Sequence, residues 1–364
     1  MLAIKRSLVC AVCAVCTLAL SGTGCYRPIG PQSVARDRRL DATSLSDSWK
    51  EQTLLNIVKI RYFDPPLFVD VGNIVANYSW QTGVTGSGNI VPGGTSAATI
   101  GGFGTYSNTP TITYSPLTGA KFIRALATPL PPETVFSSIE AGLAADVILF
   151  ASVASINGLQ NQEATLQGIA PADADFHRVR ALMRNIQLAD GVRVVERKEA
   201  GEEMVSFLTF RPPSAEPEIQ ADIAEFRRLL KLDPTASEYK IIYDAIPGND
   251  KEIAVITRSI LGLMEIMAAE VGVPAEDIAQ SRAFPGYEEG KAAPPGISHR
   301  LIHIHSGKSS PPDAFVSVKY RNNWFWIDDH ELESKQMFAL VMMLFSMADT
   351  APKENQPVLT IPTH

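Results

Sequence analysis

The chain has 364 residues, with 32 Lys and Arg against 39 Asp and Glu, a formal charge of −7 and 45% hydrophobic residues. That length is enough for one large or two ordinary domains with real cores. A mildly acidic chain without a basic stripe excludes nucleic acid as an expected partner and offers no electrostatic pull toward anionic lipid.

In chain order, Lys5 and Arg6 precede an apolar run over residues 8–20. Small residues (Ser21, Gly22, Thr23, Gly24) then lead into Cys25. This is the order of a cleaved signal peptide over residues 1–24, and the apolar run is too short for a membrane-spanning helix. Cys25 is the expected lipidation site. A lipoprotein signal usually carries Leu three residues before that Cys; here the position is Gly22 and the nearest Leu is Leu20. Tyr26 follows Cys25 where an inner-membrane retention signal would have Asp, so the expected location is the outer membrane, facing the periplasm. All four Cys (Cys10, Cys13, Cys16, Cys25) lie at or before the cleavage point. The mature chain is therefore expected to have no disulfide and no Cys-based metal site.

Residues 25–42 read as the lipidated Cys with a polar, charged tether, and residues 43–364 as a single α+β unit. A helix is predicted over 44–62, with Trp49, Leu54, Ile57, Val58 and Ile60 as its apolar stripe, and Asp64-Pro65-Pro66 ends it. Residues 67–117 are rich in Gly, Ser and Thr, with Asp70 their lone charge. Strands are predicted over 74–80, 97–106 and 111–114, with a glycine-marked loop (Gly83, Gly86, Gly88, Gly93, Gly94) around Pro92. The plain reading is an edge meander; the sharper one is a membrane-inserting hairpin that closes a barrel between subunits.

From Pro132 onward the pattern is ordinary α+β. A long helical stretch is predicted over 133–160, interrupted at Asn157-Gly158, and a helix over 172–188. A hairpin over 192–197 and 204–210, a helix over 218–232, strands over 239–246 and 251–257, and a helix over 259–271 follow. The C-terminal part, 299–361, is expected to be a three-stranded meander (300–305, 314–320, 324–327), a helix over 329–347 and an edge strand over 358–361.

Chemistry-bearing candidates are few. His303 and His305 share one face of a predicted strand at a spacing suited to two-imidazole metal binding, with His299 nearby and Asp328, Asp329 or His330 as the source of a third ligand. The bland alternative is a polar strand face. Asp328-Asp329-His330-Glu331 is better read as a helix start, with an Asp cap and with Glu331 and Glu333 at the positive end of the helix dipole. Trp324 and Trp326 alternate as a binding platform for sugars or peptides, or as ordinary packing against a helix. Gly307-Lys308-Ser309 imitates a phosphate loop, but Ile302 stands where the earlier glycine belongs and Pro311-Pro312 follows. No Gly-x-Ser-x-Gly or His-Glu-x-x-His motif occurs, so no cofactor is expected.

The runs at 48–66 (SWKEQTLLNIVKIRYFDPP), 110–117 (PTITYSPL), 257–262 (TRSILG) and 324–345 (WFWIDDHELESKQMFALVMMLF) resemble those of a family of uncharacterised bacterial lipoproteins. The resemblance implies an envelope location and one family-wide unit, and it brings no activity, cofactor or catalytic residue. The expectation is thus an α+β lipoprotein of antiparallel meanders and packed helices. It would be held by its lipid anchor and have a non-catalytic binding or envelope-assembly role, with an envelope protein as a possible partner. The alternatives are a metal-dependent envelope enzyme built on His303, His305 and Asp329, and an oligomeric outer-membrane channel built on residues 67–117.

Overall fold

The computed structural model describes residues 34–75, 78–89, 97–108, 111–165, 168–198, 204–210, 217–285 and 301–348. The leader, Cys25, His299, the turn at 199–203 and the segment 358–361 lie outside the described residues. The chain is α+β, with helices beside antiparallel and mixed sheets. No described helix is long and apolar enough to cross a membrane.

Two compact units divide the chain: residues 1–47 with 72–113, and residues 48–71 with 114–364. Helix α1 (Val34–Arg61) begins earlier than the predicted 44, so residues 34–42 are helical where a tether is expected. Arg and Ala make up five of its nine residues and no Gly or Pro interrupts it.

In the first unit, β2 (Tyr78–Asn89) and β3 (Ala97–Asn108) form one long antiparallel ribbon in continuous register from Tyr78↔Asn108 to Asn89↔Ala97. Gly83, Gly86 and Gly88 are strand residues here, not the loop that their number implies. Each has a cross-strand partner, and Gly83 faces Phe103, whose Cζ would stand 2.3 Å from an added Cβ. The aromatic ring covers the glycine and supplies the contact that glycine lacks. Strands β1 (Val69–Val75) and β4 (Thr111–Pro116) pair with each other, so the ribbon is nested between them and the region is no simple meander.

The second unit holds the core. Between β4 and the first core helices lie a short α2 (Gly119–Phe122) and a π turn. The predicted helix over 133–160 is four elements: α3 (Pro132–Glu140), α4 (Ala145–Ser152), β5 (Val153–Ile156) and β6 (Leu159–Gln160). Gly142, at φ +103°, separates the helices. Asn157 and Gly158 both have positive φ, and with Ile156 paired to Leu159 they form a two-residue hairpin turn. Strands β7 (Glu163–Thr165) and β8 (Gly168–Ala170) form a small hairpin, followed by α5 (Ala174–Leu188).

β9 (Val192–Lys198) and β10 (Met204–Phe210) make the expected hairpin, and α6 (Pro217–Leu229) follows. With β11 (Glu238–Ile242) and β12 (Glu252–Thr257) they build a six-stranded sheet of order β6-β5-β12-β11-β10-β9. The β11–β12 pair is parallel, so this sheet is mixed. After α7 (Ile260–Ala269) and α8 (Ala275–Ala279), a three-stranded sheet combines β13 (His305–Gly307), β14 (Ala314–Tyr320) and β15 (Asn323–Asp328). Its order is β13-β15-β14, so the last strand is central, where a meander would place β14. The central place suits β15, whose Phe325 and Ile327 are fully buried on one face. Residues 301–304 precede the strand and only Ile304 bridges, to Val271. Helix α9 (Leu332–Ala348) is the last described element; Phe338, Val341 and Leu344 join the same buried cluster as Leu54 and Ile57 of α1 and Ile253 and Val255 of β12.

Candidate metal centre on the C-terminal sheet

The face of β15 opposite Phe325 and Ile327 carries Trp324 and Trp326, both partly exposed. Register places His305, Trp326 and Ser317 in one row, and Gly307, Trp324 and Lys319 in the next. The Trp326 ring stacks on His305, with centroids 5.5 Å apart and planes 13° from parallel. Gly307 permits this: a Cβ there would stand 3.1 Å from Trp326 Cη2. The glycine of the false phosphate motif is thus a packing residue, and Lys308 donates to Asn323 Oδ1 at 2.9 Å.

His303 lies just before β13, and its ring meets that of His305 at a centroid distance of 3.7 Å. Both point at one carboxylate oxygen. Glu331 Oε1 is 3.0 Å from His303 Nδ1 and 2.8 Å from His305 Nε2. Glu331 stands at the N-cap position of α9, its carbonyl accepting from Lys335 N at 3.0 Å. The helix terminus therefore favours a negative side chain at that place. Ser334, one turn into the helix, donates from Oγ to Glu331 Oε2 at 3.0 Å and accepts from the His303 backbone N–H at 2.9 Å. Loop, strand and helix are thereby tied at one point.

Desolvation is the largest single influence on Glu331 and would raise its pKa. The His305 hydrogen bond, both imidazoles and the Ser334 hydroxyl together outweigh it, and the carboxyl sits below its ordinary value.

Of the sequence candidates, His303, His305 and Trp326 meet, with Trp324 one row away. Asp329 does not join them: its carboxylate takes the Lys335 ammonium at 2.8 Å. Asp328 accepts from the His330 backbone and ring in an exposed turn, which lowers the Asp328 pKa and raises that of His330. The third residue at the pair is Glu331, which sequence reasoning assigned to the helix start. Its spacing from Ser334 (N-cap and N3) was the available signal. Among the described residues, His303, His305 and Glu331 are the one group of three donors able to surround an ion, with ligand atoms all within 4.8 Å of one another.

Other polar clusters serve the fold. In the 257–262 run, Thr257 Oγ1 donates to Leu130 O, Arg258 binds the Phe150 and Ala151 carbonyls at 2.8 and 3.0 Å, and Ser259 caps α7 through Gly262 N. In the 48–66 run, Gln52 and Asn56 bond the backbone of Val69 and Leu67. Buried Asp277 accepts from Tyr62 at 2.7 Å and pairs with Arg282 at 2.9 Å. A hollow of about 280 Å³ is lined by Glu140, Gln187 and Asp190 among others, but Glu140 and Gln187 are spent on backbone partners. No protein-family model matches the chain, and searches of curated proteins and of solved structures returned no match.

Proposed function

We propose that this chain is a lipoprotein of the cell envelope, anchored through Cys25 at the outer membrane facing the periplasm, with a non-catalytic binding or assembly role. The leader sequence and the resemblance to bacterial lipoproteins support the location. The binding role rests on one observation, the aromatic face of β15. Two tryptophans that stay partly exposed beside two histidines form a rigid surface with donors, of the kind that binding sites use.

Two measurements test the proposal. A palmitate analogue should label the wild type and not Cys25→Ala; equal labelling of both removes the anchor. A photocrosslinker placed at position 324 in intact cells should give one discrete adduct that Trp326→Ala reduces. An absence of adducts from both 324 and 326 removes the binding role from this face.

A second reading, a metal-dependent envelope enzyme, is favoured by the meeting of His303 and His305 at a carboxylate. It requires first that the cluster take a metal.

A further inference from the structure

We infer that His303 Nδ1, His305 Nε2 and a Glu331 carboxylate oxygen form a binding site for one divalent transition-metal ion of the zinc class. Two features carry this inference. The three donor atoms already converge within 4.8 Å of one another. They also come from three differently held positions (loop, strand and helix cap), fixed by Ser334 and by the Trp326 stack.

Donors around a tetrahedral zinc, with bonds of about 2.0 Å, stand about 3.3 Å apart. The two N···O distances here are 3.0 and 2.8 Å, so each of these two pairs must widen by a few tenths of an ångström, while the two nitrogens already stand within 4.8 Å of each other. Side chains that retain 22%, 19% and 29% of their exposure leave a route for the ion and room for an exchangeable fourth ligand.

Without metal, each imidazole donates its facing N–H to Glu331 Oε1. With metal, each neutral ring carries its proton on the other nitrogen and offers a lone pair at the facing one. Two hydrogen bonds are thus exchanged for two metal–nitrogen bonds, and the carboxylate becomes the third ligand. Two nitrogen donors select transition ions over magnesium or calcium, which take oxygen. Ser334 is a positioning residue that orients Glu331 from behind.

This assignment goes beyond the binding proposal and stands or falls without it, because zinc uptake is measured with no partner present. The test uses the mature protein, from Cys25 onward, in detergent, stripped with chelator and titrated calorimetrically with Zn²⁺, and with Co²⁺ for its visible spectrum. Expected are one equivalent per chain, a cobalt spectrum of low coordination number, and no competition from Mg²⁺. His303→Ala and His305→Ala should each weaken binding about a hundredfold, and Glu331→Gln and Ser334→Ala about tenfold, with unchanged circular dichroism. Wild type supplies a readout that needs no variant: Zn²⁺ should protect His303 and His305 from diethyl pyrocarbonate, read by peptide mass spectrometry. Equal modification with and without zinc, or no saturable binding, overturns the site.

Discussion

Arg258 reaches the last turn of α4, where helix geometry leaves carbonyls without intrahelical donors. Its guanidinium binds the Phe150, Ala151 and Gln162 carbonyls, so one cation closes a helix and fixes the chain beyond β6. Burial lowers its pKa to about 10, a sign that the charge is largely out of water. Phe150 O also accepts from Asn161 Nδ2 at 2.8 Å, so Arg258→Ala strands two acceptors, the Ala151 and Gln162 carbonyls, and should cost about 2 kcal/mol in urea unfolding. Lys, a point donor without the planar fork, should restore less than half. A loss below about 1 kcal/mol would remove Arg258 from this role.

Tyr62 gives a prediction with pH. Desolvation raises its pKa most, and the hydrogen bond to Asp277 with that residue's charge raises it further. Unfolded tyrosine releases its proton near pH 10, so above that the native state binds more protons and stability falls as pH rises. The contribution is fully present below about pH 10. Tyr62→Phe should cost about 1 kcal/mol at neutral pH, a gap that narrows in alkaline solution. A gap that is constant through the phenol titration contradicts the assignment.

At the scale of elements, α1 holds the segment after it through two amides one turn apart. Asn56 Nδ2 donates to Leu67 O at 2.8 Å while its Oδ1 accepts from Leu67 N at 2.8 Å, and Gln52 repeats the pattern on Val69 at 3.2 and 2.6 Å. Each side chain presents the donor and acceptor of a strand neighbour. Asn56 is buried, and Asn56→Asp replaces its donor with a second acceptor against a carbonyl. The expected loss is about 2 kcal/mol in thermal or urea unfolding. An Asn56→Asp variant as stable as wild type would show that the segment is held by other means.

These amides also mark the limit of legibility. The apolar stripe of α1, the β9–β10 hairpin and α9 were readable because one buried face imposes a period. Polar residues in those stripes had no period to announce them. The stretch 153–156 reads as helix in the sequence because a run buried on both sides loses alternation. The order β13-β15-β14 follows from which strand carries the most buried face, a property of the assembled sheet. At the candidate site, the His pair was legible from its spacing of two, whereas Glu331 was hidden behind the equally good reading of a helix start.

For the whole molecule, the chain's division into two units leads to a prediction about residues 78–108. The apolar core draws on α1, on β5 and β12, on α7 and on α9; no described residue of the β2–β3 ribbon belongs to it. Along the ribbon, Val84 is 80% exposed and Phe103 55% exposed, as are many Ser, Thr and Gly neighbours. A two-stranded ribbon gains little stability from its own ladder, and its outer edges, unpaired among the described residues, invite further strands. The channel alternative uses those edges, with several copies closing a barrel that satisfies every backbone group inside lipid. Against it stands the abundance of glycine and hydroxyl residues, which gives a poor lipid-facing band. Replacing residues 78–108 by a short turn should therefore leave the melting temperature of the protein within a few degrees of wild type. It should also leave zinc uptake at His303, His305 and Glu331 unchanged. The intact mature protein with Cys25 replaced should run as a monodisperse monomer or small oligomer without detergent. Detergent-resistant rings of the intact chain that conduct ions across a planar bilayer, and that vanish on excision of the ribbon, would reverse this conclusion and make the ribbon the working part of the molecule.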